Sequence, residues 1–547
     1  MADGADAGQR DMAETSTGGT APASGLGAGI TTGLGRLLDA LSNPKRGGRA
    51  AAAVLLAYCA AWTLYAVIAK SSQDFHFDMG EMVAWSREVT FGTPKHPPLP
   101  AWLAGAWFAV FPLTPWAYDL FAMAGAAASL AVAFALSRRY LDGVKSAVGL
   151  AFLTLVPFFN FHAFKFNANS ALMPWWALTT WLFLRSFEAE AAADVERPSS
   201  SRRVALATLA GAAAAAAMLV KYWSVVLLAG MVVAVLADRR RRAYFGSAAP
   251  YVTVAAGVLV LSPHLAWLWL NGFPTFGYML ESHPGTRLEA LGSGIGYVAG
   301  ALGYAVVPIG LAALLAGRDL RAALRDAVWP GGAEAAPRRL AVLVFFLPLL
   351  LPAALAVAAS EKVVSLWACG GMTLLPVVLL SSPRIAVPRA VAVRILGIAV
   401  AFPLLAIACA PAVAVLTHVA GVANYGDQYS LIADAAGKFW HDVTGRPVRL
   451  VGSHDNVMNG SVFYFPDRPS TFDIQNPQLT PWADAARLAR DGALLYCPVA
   501  EAVCMDAVNR LAAAHANRRT EVELSRSFLG MPGRTTRYAI VTILPAR

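Results

Sequence analysis

Basic residues in this chain fall into six clusters, and two long apolar runs separate each cluster from the next. The runs lie at about 51–69, 116–136, 146–163, 170–187, 204–220, 223–237, 249–270, 293–316, 340–358, 364–380 and 395–416. The clusters are Lys45, Arg46 and Arg49; Arg138, Arg139 and Lys145; Arg197, Arg202 and Arg203; Arg239 to Arg242; Arg318, Arg321, Arg325, Arg338 and Arg339; and Arg384, Arg389 and Arg394. About 20 apolar residues cross a bilayer as a helix. The pattern therefore predicts a polytopic α-helical membrane protein with about eleven transmembrane helices. Short basic loops stay in the cytoplasm. That rule puts the N-terminus inside, and 70–115, 164–169, 221–222, 271–292, 359–363 and everything after 417 outside.

The totals agree. Hydrophobic residues make up 57% of the 547 and charged ones 14%, against roughly 25% charged in soluble domains. A net charge of +10 resides in the loop clusters, which is the mark of membrane topology and excludes a nucleic-acid surface. Residues 1–44 are rich in Gly, Ala, Ser and Thr and have no apolar signal core, so they read as a disordered cytoplasmic tail. The run 99–112 is too short to span and reads as an interfacial helix, with Trp102, Trp107 and Trp116 at headgroup level. Tyr58, Trp175 and Trp176 read as interface anchors.

From 418 to 547 the text changes. RPVRLVGSHDN, ALLYCPV and YAIVTILPA alternate or run apolar like strands, while WADAARLARDGA and AVNRLAAAHANRR are amphipathic. A small external α/β domain is expected, following a transmembrane core over 45–417. Asp455, Asn456 and Gly460 fit turn chemistry. Cys497 and Cys504 fall in this domain, either bridged or as two thiols.

The first external loop, 70–115, contains DFHFDMGEMVAWSREVTFGTPKHPPL. Asp78 and Glu81 share a helix face if this stretch is helical, with Trp85 one turn on. Pro97-Pro98 fixes two φ angles and forces a turn beside Lys95 and His96. Carboxylates and cations at a bilayer rim suit a reaction whose leaving group is a lipid phosphate. A carboxylate can take a proton from an attacking hydroxyl, and cations can meet charge growing on phosphate. A solvated interfacial helix is the plainer reading of the same residues.

DMGEMVAWSREVTFGTPKHPPLPAWL resembles the first external loop of the family 39, protein O-mannosyltransferase-like, glycosyltransferases. Asp78 falls on the family's leading Asp, Glu81 on the second polar position, Trp85 on a Trp, and His96-Pro97-Pro98-Leu99 on a Pro-Pro corner. Met79 stands where an adjacent Glu is usual. KFNANSALMPWW is similar to the second external loop, with Asn169 where many members carry Asp. AAMLVKYWSVVLL resembles a Lys-Tyr segment that puts Lys221 at the external end of a helix, and SPHLAWLWLNGFPTFGYML resembles a segment through Pro263, Trp267 and Phe276.

The resemblance implies a GT-C fold and inverting transfer of a sugar from a polyprenyl-phosphate donor to a lipid, glycan or protein acceptor. Its bacterial branch, which includes transferases acting on lipid A and lipopolysaccharide core sugars, implies an inner-membrane protein with a periplasmic C-terminal domain. In that light Asp78 is the candidate base with Glu81 beside it. Lys221, His96 and Lys95 are candidates for the donor phosphate, and Asn169, Trp85, Glu361 and Lys362 for substrate. Some relatives of the fold use a divalent metal. Glu281 and His283, with His264 nearby in sequence, are the residues that could hold one, although loop polarity explains them as well. A lipid-linked sugar flippase is the rival, but it would place ionisable residues at mid-membrane depth, where this sequence has almost none.

Overall fold

The computed structural model describes residues 25–88, 90–192, 198–282, 285–332 and 335–546. The first described element, α1 (Gly25–Ser42), overturns the expected disorder of 25–42. Leu34, Leu37, Leu38 and Leu41 recur at helical spacing, and Leu38 and Leu41 are buried against the core. Small residues around that stripe hide it from a composition reading. Arg389 pairs with Asp39 and fastens α1 to the helix Arg389–Ala420. Residues 1–24 lie outside the described residues.

The next eight helices are α2 (Gly47–Ala69), α3 (Phe77–Arg87), α4 (Leu99–Phe108), α5 (Pro115–Ser137), α6 (Gly143–Thr154), α7 (Ala168–Ala191), α8 (Ser200–Val220) and α9 (Ser224–Ala237). All eleven apolar runs are helical, but not all are full spans. Among the described residues six helices are long and apolar enough to cross a membrane: α2, α5, α8, Ala249–Leu270, Ala336–Ala359 and Arg389–Ala420. A pair bent by 61°, Arg287–Tyr304 with Val306–Val328, makes a seventh if counted as one span. The remaining runs are shorter or more polar; 146–163, for example, stops as an α-helix at Thr154 and turns at Pro157. Helix α4 ends at Phe108, with Trp102 and Trp116 exposed as expected of a rim. Tyr58 and Trp176 are not anchors but buried core, and the Tyr58 hydroxyl donates to the Phe159 carbonyl (2.8 Å).

The two ends of the bundle differ in chemistry. At one, Lys145 donates to the Ser382 carbonyl (3.1 Å) and Arg338 to that of Ser381 (2.8 Å), so basic clusters distant in sequence converge. At the other, the loop 70–115 meets the C-terminal domain, 164–169 reaches the cavity beside it, and 221–222 pack on 164–169 through Lys221 and Asn169.

That domain holds a five-stranded sheet: β1 (Leu450–Ser453), β2 (Ser470–Asp473), β3 (Ala493–Pro498), β4 (Asn517–Phe528) and β5 (Met531–Ile543), in the order β2-β1-β3-β5-β4. β1 is parallel to β2 and β3, whereas β5 is antiparallel to β3 and β4. The sequence shows β1, β3 and β5; β2 and β4 escape it. β4 is an edge strand whose charges, among them Arg518, Glu521 and Glu523, blunt further pairing. Its first residues had read as the end of the helix that stops at Ala514. Cys497 and Cys504 form a disulfide. The β4–β5 hairpin turns at Leu529 and Gly530, both at positive φ (50° and 79°), and His418 in the last turn of Arg389–Ala420 hydrogen-bonds the Met531 carbonyl there (3.0 Å).

Residues 455–461, expected as a turn, form a helix that packs on α3. The contact needs Gly80, because a Cβ there would lie 1.8 Å from the Asn459 carbonyl oxygen. Asp74 adds a second fastening: it pairs with Arg526 (2.7 Å) and accepts from the Ser430 amide (3.0 Å). The helix beginning at Tyr429 runs to Thr444 and closes on Gly445 at φ 63°.

Candidate active site

α3 begins on His76, whose extended backbone caps it, so Asp78 sits in the first turn where a helix favours negative charge. Asp78 Oδ2 accepts from Lys165 Nζ (2.9 Å) and from Asn167 Nδ2 (3.0 Å). Its Oδ1 lies 3.3 Å from His76 Nδ1, and His76 Nε2 lies 3.2 Å from Lys165 Nζ. His76 Nδ1 also accepts from the Asp78 backbone amide (3.2 Å), so both ring nitrogens face the Asp78–Lys165 pair. Burial raises the Asp78 pKa, but the His76 hydrogen bond and the Lys165 charge outweigh it and hold the carboxyl well below the usual range. Asp78 is ionised at neutral pH.

Glu81, one turn on, answers to a different cation. Lys95 Nζ sits 2.8 Å from Glu81 and 2.9 Å from Asp455 on the C-terminal domain, and Asn459 also donates to Asp455 (2.8 Å). Burial pushes the Glu81 carboxyl up to about 7 against the pull of Lys95. Lys95 itself is desolvated, but two carboxylates push it well above the ordinary lysine value. The face Asp78 and Glu81 share thus divides into two ion clusters, and Lys95 is committed to joining the loop to the C-terminal domain.

Lys221 stands at the C-terminal cap of α8, outside the span. Its Nζ donates to Asn169 Oδ1 (2.6 Å) and lies 4.6 Å from the Trp367 ring centroid. Burial lowers its pKa to about 8. His96 holds the Pro-Pro corner: its carbonyl accepts from the Thr93 hydroxyl (2.9 Å), and its ring meets Trp85 edge-on at 5.8 Å. Burial, then the charges of Lys221 and Lys95, press its pKa down to about 3. A role for His96 as a cation therefore does not stand; its imidazole is neutral.

A cavity of about 250 Å³ opens here, lined by Phe161, Lys165, Asn167, Asn169, Leu366 and Cys369 among others. A second of about 250 Å³ lies toward the C-terminal domain, bordered by Lys70, Asp74, His76, Phe164, Lys165 and Tyr429. Lys165 borders both. The sequence assigns no role to His76, Lys165 or Asn167 and reads Asp455 only as a turn residue; the cue was proximity, since each lies inside a stretch already singled out.

Two expected substrate residues stay apart. Lys362 pairs with Glu289 (3.6 Å) on an exposed rim, and Glu361 donates its backbone amide to the end of the helix Ala336–Ala359. Glu281 is described only as part of the helix Pro274–Ser282, and His283 lies outside the described residues. His264 is buried, hydrogen-bonded to the Tyr222 hydroxyl and the Phe91 carbonyl (both 2.6 Å). Among the described residues no three His, Cys, Asp or Glu side chains form a metal-holding group.

No curated protein matches the chain. A family model described as dolichyl-phosphate-mannose-protein mannosyltransferase matches residues 95–267, which bears out the resemblance read from the sequence. That stretch holds Lys95, His96, Lys165, Asn169 and Lys221, while Asp78 and Glu81 precede it. The structure of ArnT from Cupriavidus metallidurans in its apo state superposes with a TM-score of 0.54 at 13% identity, covering 89% of this chain and 97% of that one. The same protein bound to undecaprenyl phosphate gives 0.57 at 14% identity, with the same coverage. This is the GT-C fold. Asp78 sits on α3, which packs on the C-terminal domain through the helix Asp455–Ser461, and Lys221 lies on the core side beside Asn169, at the end of the bundle away from the converging basic clusters.

Proposed function

We propose that this protein is an inverting glycosyltransferase that moves a sugar from a polyprenyl-phosphate donor to a lipid, glycan or protein acceptor. Its place is the periplasmic face of a bacterial inner membrane, with the N-terminus cytoplasmic and the C-terminal domain outside. The observation that carries this reading is an ionised carboxylate, Asp78, held between Lys165 and Asn167 beside a cavity at the ends of apolar helices. The second ammonium, Lys221, is turned to the same cluster through Asn169. The family match and the ArnT fold support the same reading.

In the reaction the acceptor oxygen forms a bond to the anomeric carbon as the bond from that carbon to the phosphate oxygen breaks. The pair of electrons leaves with polyprenyl phosphate, which gains one negative charge. Asp78 takes the hydroxyl proton late, as the acceptor oxygen becomes acidic in the transition state. Lys221 and its neighbours meet the charge on the phosphate.

Incubating purified protein with polyprenyl-phosphate sugar should release polyprenyl phosphate only when an acceptor is present, and Asp78→Asn should abolish most of that release. Intact donor crossing vesicle membranes without hydrolysis would sink the transferase and favour a flippase.

A further inference from the structure

Resting on that reading, we propose that the Lys165 ammonium supplies the positive charge beside Asp78 that meets the donor phosphate, and that donor binding and transfer need no divalent cation. Hard divalent ions need several free oxygen ligands, and the oxygens near Asp78 are already committed. Asp78 Oδ2 accepts from Lys165 and Asn167, and Oδ1 faces His76. The Asn167 side-chain oxygen is spent on capping α7, accepting from the amides of Asn169 (2.9 Å) and Ser170 (3.3 Å). The Asn169 side-chain oxygen accepts from Lys221. One carboxylate, two ammoniums and two occupied amides repel a metal ion more than they hold it.

Lys165 meets the positional demand as well. It borders both cavities, touches Asp78 at 2.9 Å and keeps about a third of its side chain exposed, so its ammonium can turn from the carboxylate to an arriving phosphate. His76, whose Nδ1 accepts from the Asp78 amide and lies 3.3 Å from Asp78 Oδ1, holds Asp78 in place while that exchange occurs. The donor thereby releases the carboxylate it needs as a base.

Two measurements on the full-length protein in detergent test this. Binding of a polyprenyl phosphate, followed by calorimetry, should keep its Kd within twofold when EDTA replaces magnesium or manganese. Lys165→Gln should weaken binding at least tenfold with no recovery on adding either ion, while Lys165→Arg keeps most of it; thermal melting checks that both variants are folded. Manganese titrated into the protein and read by electron paramagnetic resonance should show no site sensitive to Asp78→Asn. A stoichiometric manganese site lost in Asp78→Asn, or wild-type lipid binding that EDTA abolishes and magnesium restores, overturns the inference and leaves the glycosyltransferase reading standing. Lipid binding by Lys165→Gln equal to wild type overturns it too. Failure of the wild type to bind polyprenyl phosphate under any condition overturns both.

Discussion

A carboxylate held ionised well below neutral pH is a weak base for an alcohol, so Asp78 acts through its position. General-base help is typically worth 10²–10⁴-fold, and Asp78→Asn should lower turnover by about that factor while polyprenyl-phosphate binding persists. Initial rates and lipid affinity measured on the same preparation check both halves. Lys221 gives a prediction in pH. Its pKa is lowered to about 8, so the ammonium is intact at pH 7 and is lost as the pH rises past 8. The donor KM should therefore climb between pH 7 and 9, and Lys221→Arg, whose guanidinium stays charged, should flatten that climb. A flat wild-type profile would remove Lys221 from the phosphate. Asp78, Glu81 and Lys221 were legible because ionisable residues interrupt apolar text. Lys165 and His76 were not, because their meaning lies in a pairing between loops distant in the chain, which only the fold brings within 3.2 Å. The neutrality of His96 was equally hidden, since it follows from burial beside Lys221 and Lys95.

Helix α3 is where the helical core and the C-terminal domain become one unit. A methyl at Gly80 would strike the Asn459 carbonyl, so Gly80→Ala should destabilise by about 1–3 kcal/mol, the usual cost of overpacking. Limited proteolysis should then cut the C-terminal domain faster, whereas Gly125→Ala, with open space around its Cβ, should leave the pattern unchanged. Lys95 sharpens the point. Lys95→Met strands Glu81 while Asp455 keeps Asn459 and solvent, at a cost on the order of 3–5 kcal/mol for breaking the buried Lys95–Glu81 pair. Glu81→Gln leaves Lys95 its second partner, Asp455, and should cost clearly less by thermal melting in detergent. Elements written as apolar runs were legible: the six long spans as helices, and the apolar strands β1, β3 and β5. β4 was not, because its charges alternate along a solvent-facing edge, nor was β2, whose four residues STFD include a single large apolar side chain, Phe472. The helix at 455–461 hid behind residues that also suit turns.

For the molecule as a whole, the convergence of basic clusters at one end and of the site at the other makes orientation testable. Thr535 and Ser199 are both exposed. A cysteine at 535 should react with an impermeant reagent from outside intact cells, and one at 199 only after lysis; the reverse would invert the topology. The number of spans was the part of the architecture least legible, since hydropathy counts apolar runs and cannot see that Pro157 or a 61° bend divides one. The β4–β5 hairpin has a practical consequence for attaching labels. Its tip, Leu529 and Gly530, is exposed and has the backbone of a tolerant loop, yet it is seated on His418 at the end of a membrane helix. An epitope or antibody fragment grafted there would collide with the lipid headgroups or the detergent belt. The Gly445 turn is the better handle for imaging. It closes a 16-residue helix that starts beside the second cavity at Tyr429, which carries the graft about 24 Å along the helix axis from that end.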